Sequence, residues 1–300
     1  MLFRSEFITD KSQTYSYQSQ GKNITEPQID MFERVEFSLN EWKQIFEYCK
    51  EIEIEAFTTP QNPSDLDLIL SITDLPKLKV GSDDLTNLPL LKYYASKNIP
   101  MIISTGMSYE DEIRDAIETI LNEGCKDLTV LHCVSLYPTP LEKVNINKMV
   151  SIKEKFNVKV GYSDHTEGWE ACKAATLAGA TILEKHFTLD KNLPGPDHRF
   201  SADINELKQL VVKIRQAEIL LGSHILEPDI EEIEMRKIAR RNITAIKEIK
   251  ENEIFTLDNL GLRRPGDGIP PKFLYNILGK KAKKYISSNT LINENDFENI

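Results

Sequence analysis

Six β-rich runs recur along the first two thirds of the chain, and their spacing leaves few folds open. "IEIEAFTT" begins near residue 52, "KLKVGS" near 77, "PMIISTG" near 100, "LTVLHCV" near 128, "VKVGYS" near 158 and "ATILEKHF" near 180. Their starts lie about 22 to 30 residues apart, the length of one strand plus one returning helix, and the runs are continuously apolar rather than alternating. Runs of that kind are buried on both faces, as in a parallel sheet with helical crossovers. The segments between them carry helix signals. Ser38 with Glu41 opens "SLNEWKQIFEYCKE" and Asp203 with Glu206 opens "DINELKQLVVKIRQAEILLG", both as capping boxes, and Gly124, Gly179 and Gly222 stand where C-terminal caps belong. The fold class is therefore α/β. A closed barrel of this type needs eight such units and six are counted, whereas an open doubly wound sheet needs no more, so the pattern alone admits both. The opening stretch "MLFRSEFITDKSQTYSYQSQ" reads as a loop with no strand before the first run.

After Gly222 the pattern changes. Residues 1–222 read as one domain, 223–240 as a charged linker, and 241–300 as a small β-rich domain split by "KENE" and "RRPGDGIPP". Residues 236–300 carry 13 Lys and Arg against 8 Asp and Glu, a net of +5, while the first 235 carry 24 against 39, a net of −15. Opposite charges of this size fit docking of one part on the other or between subunits. The run "KKAKK" at 280–284 reads as a solvated face rather than an anion site. The overall charge of −10 argues against nucleic acid as a partner, whose binding rests on basic phosphate contacts. No apolar run approaches the roughly 20 residues of a membrane span. The N-terminus lacks a signal core, and the four cysteines form no CxxC pair, so a cytoplasmic protein with reduced thiols is expected.

In parallel α/β folds the reacting groups gather at the C-terminal ends of the strands. Strand alternation puts Ser163 and His165 on one face of their run, and Glu184 and His186 on one face of the next. If the two runs are neighbours, the strand spacing of about 4.8 Å brings both imidazoles within reach of one ion. Two histidines completed by water and substrate oxygens suit Mn²⁺, Mg²⁺ or Zn²⁺ as an open Lewis acid. Two unrelated histidines bonded to backbone or carboxylates account for the spacing equally well. Other strand ends offer Thr58 and Thr59, Lys79 and Ser82, Ser104 and Thr105, and Ser135. Each hydroxyl alone is ordinarily a helix cap; together with a lysine and Gly-rich turns they make a phosphate or carboxylate site.

Six stretches together carry a family resemblance: "KVGSDDLTNLPLL", "MIISTGMS", "LHCVSLYPTP", "VGYSDHT", "EKHFTLDKNLPGPDHRFS" and "LRRPGDGIPP". The chain resembles the N-acetylneuraminate (sialic acid) synthase family from about residue 2 to 300, with the block from Gly161 to Ser201 the most specific. The resemblance implies a TIM (βα)8-type barrel joined to a small C-terminal antifreeze-like (SAF) domain. It also implies a transferase that condenses phosphoenolpyruvate with the open-chain aldehyde of N-acetylmannosamine or a related acylated amino sugar, releasing phosphate. By that resemblance His165 and His186 match the two ligands of a divalent metal, Mn²⁺ or Mg²⁺. Thr59, Lys79, Ser82 and Ser163 match groups that hold phosphoenolpyruvate, and Ser135 stands where many members have Asn. Asp84, Tyr137 and Asp197 match residues that touch the sugar or the metal-bound water. Arg264 matches an arginine sent into the partner's site in a domain-swapped homodimer.

At the front the family has two further βα elements, with a catalytic Glu in "E-x-G-x-N-H-x-G" and a strand ending "K-F-Q", and Met1 falls about where that Gln would be. A barrel lacking its first two strands is therefore expected, in agreement with the count of six. That reading makes the chain a shortened synthase, inactive and poorly stable by itself; the alternative is a non-catalytic relative that keeps the sugar site for binding.

Overall fold

The computed structural model describes residue 10 and residues 12–297. Residues up to Gly222 form one compact unit and those from Ser223 form a second.

The first unit opens with an antiparallel hairpin, β1 (Thr14–Ser19) and β2 (Lys22–Pro27), joined through Gln20 and Gly21 at positive φ. The expected loop is therefore a strand over Thr14–Ser19; residues 1–9 and 11 of that stretch lie outside the described residues. The hairpin is polar on most of its surface, so its strands carry no apolar run of the kind that marks the others. Helices α1 (Gln28–Glu33), α2 (Leu39–Glu51) and α3 (Pro63–Leu70) follow. Ser38 and Glu41 close the expected capping box on α2.

Next come β3 (Leu78–Val80), α4 (Leu88–Ala95), β4 (Met101–Ser104), α5 (Glu110–Asn122) and β5 (Leu128–Cys133). The unit continues with α6 (Asn147–Phe156), β6 (Lys159–Asp164), α7 (Glu170–Leu177), β7 (Leu183–Lys185) and α8 (Ile204–Leu221). Asp203 and Glu206 box the start of α8, and Gly124, Gly179 and Gly222 take positive φ at helix ends.

The five strands pair in parallel in the order β3-β4-β5-β6-β7, half of a barrel wall. The sixth expected strand, "IEIEAFTT", does not form. Helix α2 runs to Glu51, Ile52 and Ile54 are exposed, and Thr58 alone bridges to Leu78. A segment with one neighbour and exposed isoleucines gains too little burial to extend as a strand.

Alternation along the strands separates two faces. Leu78, Val80, Met101, Ile103, Leu128, Val130, Val160 and Tyr162 pack with residues of α3 to α7 in one apolar core. The residues between them, Lys79, Ser104, Cys133, Ser163 and Glu184, turn to the other face. Among the described residues no helix is long and apolar enough to cross a membrane.

In the second unit the expected linker contains a helix, α9 (Ile230–Ala239), opened by Asp229 and Glu232. Strands β8 (Asn242–Ala245), β9 (Leu260–Arg263) and β10 (Thr290–Leu291), with the short α10 (Leu274–Ile277), complete it. The sheet is antiparallel in the order β10-β8-β9, over a core that includes Ile243, Ile249, Phe255, Ile286 and Ile292.

Candidate active site

The site stands at the C-terminal ends of β3 to β7. Cys133, Ser163 and Glu184 are Cα partners across β5, β6 and β7, so one rung of the sheet presents a thiol, a hydroxyl and a carboxylate side by side. Ser163 Oγ donates to Glu184 Oε1 at 2.6 Å, and Lys79 Nζ lies 3.6 Å from Glu184 Oε2. Lys79 is 5% exposed, and its ammonium also donates to the Val80 carbonyl at 2.8 Å.

Above Lys79 the loops after β3, β4 and β5 converge on Gly106. Its N–H donates to Ser82 Oγ at 2.9 Å. A methyl group on Gly106 would overlap Ser135 Oγ and stand 2.8 Å from Ser82 Oγ, so the glycine lets two hydroxyls close in on the backbone. The product is a small polar cradle beside a buried ammonium, with the chemistry of an oxyanion site. Ser104 Oγ, at the end of β4, is buried without a hydrogen-bond partner among the described residues. Thr105, next to it, is already committed to the Leu131 carbonyl at 3.0 Å. Thr59 follows the bridged Thr58 on the open side of β3.

One residue past the rung of Ser163 and Glu184, the chain places Asp164 and Lys185 on the opposite face, and one residue further His165 and His186 return to the site face. Their rings stand 5.3 Å apart between centroids at 70°. The neighbouring strands thus bring the imidazoles together as the alternation predicts. His165 Nδ1 lies 3.0 Å from the Val134 carbonyl, which can only accept, so Nδ1 carries the proton and Nε2 keeps its lone pair. Burial, chiefly, holds the His165 pKa below the ordinary imidazole value and so favours this neutral ring. His186 Nδ1 lies 3.6 Å from Asp197 Oδ2, near but beyond hydrogen-bond distance. No group of three His, Cys, Asp or Glu able to hold a metal occurs among the described residues. The donors present fit an open site of two imidazoles, with the remaining positions left to water and substrate.

Tyr137 leans over this pair, its ring 4.2 Å from His165 and 6.1 Å from His186. Beyond it a cleft of about 240 Å³ is lined by Tyr15, Tyr17, Gln18 and Asn23 of the hairpin and by Asp197 and Arg199 of the loop after β7. Gln20 Nε2 donates to the Asn192 carbonyl at 2.9 Å and Gly195 N to Ser19 Oγ at 3.1 Å, which fastens hairpin to loop. Asp84 is bonded by Asn87 Nδ2 at 3.1 Å, and its pKa is raised, mainly by burial. Arg264 belongs to the second unit, where it is exposed just after β9.

Lys79, Ser82, Ser135, Ser163, His165, His186, Tyr137 and Asp197 are thus gathered at one end of one sheet. The sequence reading placed Glu184 beside His186 without giving it a role, and the structure makes it the partner of both Ser163 and Lys79. The signal for it was its place on the same rung as Ser163 in a neighbouring strand.

Residues 2–226 match the NeuB family and residues 240–298 the SAF domain. The chain is 38% identical over 289 residues to an N,N'-diacetyllegionaminic acid synthase of Campylobacter jejuni, covering 96% of this chain and 86% of that protein. It is 34% identical over 269 residues to a pseudaminic acid synthase of Helicobacter pylori, covering 90% and 79%. Among solved structures, the N-acetylneuraminic acid (sialic acid) synthetase of Leptospira borgpetersenii superposes with a TM-score of 0.65 at 32% identity, over 69% of this chain and 72% of that one.

Proposed function

The chain belongs to the NeuB family, whose members matched here are synthases of legionaminic, pseudaminic and sialic acids, and from that premise we propose its reaction. Phosphoenolpyruvate condenses with the open-chain aldehyde of N-acetylmannosamine or a related acylated amino sugar, water adds at C2, and the resulting tetrahedral intermediate expels inorganic phosphate to give a nine-carbon 2-keto acid. The observation that carries this reading is the cradle of Ser82, Ser135 and the Gly106 N–H beside the buried Lys79, one strand end away from a pair of adjacent imidazoles.

In this reading Lys79 and the hydroxyls hold the phosphate, with Ser104 and Thr59 at its edge, and their fixed charge offsets that of the departing group. His165 and His186 hold a divalent cation, Mn²⁺ or Mg²⁺, which when bound supplies Lewis-acid polarisation of the aldehyde. Asp197 borders the cation site beside His186, and Tyr137 shields the imidazoles from the cleft side. Glu184, bonded to Ser163 and facing Lys79, keeps both side chains aimed at the substrate. The hairpin cleft takes the sugar carbons furthest from the aldehyde. No side chain acts as a covalent nucleophile; positioning and charge do the catalysis. Asp84 completes the sugar side. The working form is a homodimer in which Arg264 of one subunit serves the partner.

The test is phosphate release from phosphoenolpyruvate with a panel of acylated amino-sugar aldehydes, with and without Mn²⁺. Release that requires one sugar and the cation supports the reading, and His186→Ala should abolish the cation dependence. Unchanged turnover in His186→Ala would sink the metal assignment. Binding of phosphoenolpyruvate without turnover would point instead to the non-catalytic sugar-binding relative.

A further inference from the structure

We propose that Asp164 and Lys185 are positioning residues for the His165 and His186 pair, holding the imidazoles at the separation one cation requires. The inference rests on the reading of those histidines as cation ligands. Asp164 and Lys185 are Cα partners in the last paired rung between β6 and β7, and the two histidines are the next residues along each strand. Their side chains face away from the site, where Lys185 Nζ meets Asp164 Oδ2 at 2.7 Å with 6% and 0% of the two side chains exposed.

The ion pair is tied into the backbone on both sides of His165. Thr166 N donates to Asp164 Oδ1 at 2.9 Å, Lys185 Nζ also donates to the Thr166 carbonyl, and Cys172 Sγ of α7 donates to Asp164 Oδ2 at 3.2 Å. The histidines' own carbonyls are occupied elsewhere: Thr139 N donates to that of His165 and Ala202 N to that of His186, both at 2.9 Å. The cross-strand link nearest the imidazoles is therefore the ion pair behind them.

A buried pair of charges is a poor way to gain stability, since apolar residues of equal volume often serve as well or better. Fixing a register is a use that such a cost fits. A slip of one residue between β6 and β7 would turn one imidazole to the helix side while the other stayed in the site.

The experiment uses the full chain, freed of metal by a chelator and titrated with Mn²⁺ alone, with free Mn²⁺ followed by electron paramagnetic resonance and folding by thermal melting. The double variant Asp164→Leu/Lys185→Met removes both charges together and should melt near the parent, yet bind Mn²⁺ about tenfold more weakly, the lower end of what outer-shell changes cost a metal site. Lys185→Arg keeps the charge and should bind within about threefold of the parent, while Asp164→Asn should fall between the two. A folded double variant with the parent's Mn²⁺ affinity would overturn the proposal and leave the histidine reading intact. Failure of both the double variant and Asp164→Asn to fold would make the pair purely structural and overturn it too. Absence of Mn²⁺ binding in the parent would remove the histidine reading and this inference with it.

Discussion

Gly161 sits in the middle of β6 on the face that looks into the half-barrel, and Gly161→Ala should damage the first unit far more than adding one methyl suggests. A Cβ there would overlap the Ile182 carbonyl oxygen and a methyl of Leu131, and would stand 3.1 Å from the Ile182 carbonyl carbon. The leucine methyl can swing aside. The carbonyl cannot, because it accepts the Tyr162 N–H at 2.9 Å and belongs to the segment that leads into β7. Overpacking of this kind costs about 1–3 kcal/mol, and weakening one ladder hydrogen bond adds about 1 kcal/mol. For a unit of 222 residues each kcal/mol lowers the melting temperature by about 2–4 °C, so a fall of about 4–16 °C is expected in its transition. The assay is a circular dichroism melt of parent and variant at one pH and salt concentration. Since the strand pushed outward is the one that carries His186, Mn²⁺ affinity should fall in the variant that remains folded. A variant that melts within about 2 °C of the parent would refute the reasoning, because it would mean that β7 yields without cost.

Three further outcomes are expected. Burial holds the His132 pKa below its unfolded value of 6.5, and that of His165 likewise; the unfolded chain therefore binds these protons first, and stability should fall as pH drops below 6.5 until the folded values are passed. Each histidine contributes a slope of up to about 1.4 kcal/mol per pH unit, and urea melts of metal-free His132→Gln should show a shallower acid limb than the parent. Lys79→Met should raise the KM for phosphoenolpyruvate by about 10-fold or more, from the loss of one charged hydrogen bond of about 1.5–3 kcal/mol, and an unchanged KM would remove Lys79 from the phosphate site. Sedimentation at micromolar concentration should give twice the 34.4 kDa of one chain, and a monomer would count against the homodimer.

What the sequence makes legible follows from how much each feature depends on its neighbours. The parallel strands announce themselves because both their faces are buried: "LTVLHC" throughout, and "KVGYSD" in all but its first residue. The histidine pair follows from period-two alternation once β6 and β7 are adjacent, and the two capping boxes are local by nature. "IEIEAFTT" misleads because its β-rich composition is local whereas a strand needs partners, and Thr58 alone finds one. The hairpin escapes notice because exposed strands need no apolar stripe, although Tyr15 and Tyr17 before the Gln20-Gly21 turn are the alternation and punctuation that signal one. Glu184 could not be assigned from its own strand, since its role lies in what β3 and β6 bring to it. The cradle at Gly106 is likewise a meeting of three loops, each of which reads alone as an ordinary turn.

The hairpin is held to the loop after β7 by two hydrogen bonds, while the strand ends that bear the lysine, hydroxyls and imidazoles are welded into the sheet. Such an attachment makes the outer wall of the cleft an exchangeable cassette. The stretch from Thr14 to Pro27 pairs with itself and not with the parallel sheet, so the surface it presents to the cleft is set separately from the rungs of that sheet. On the proposed reaction, drift in that cassette would give a lineage a route to new sugars above a constant set of strand ends, and transplanting it between relatives with different acid products is the same change made in one step.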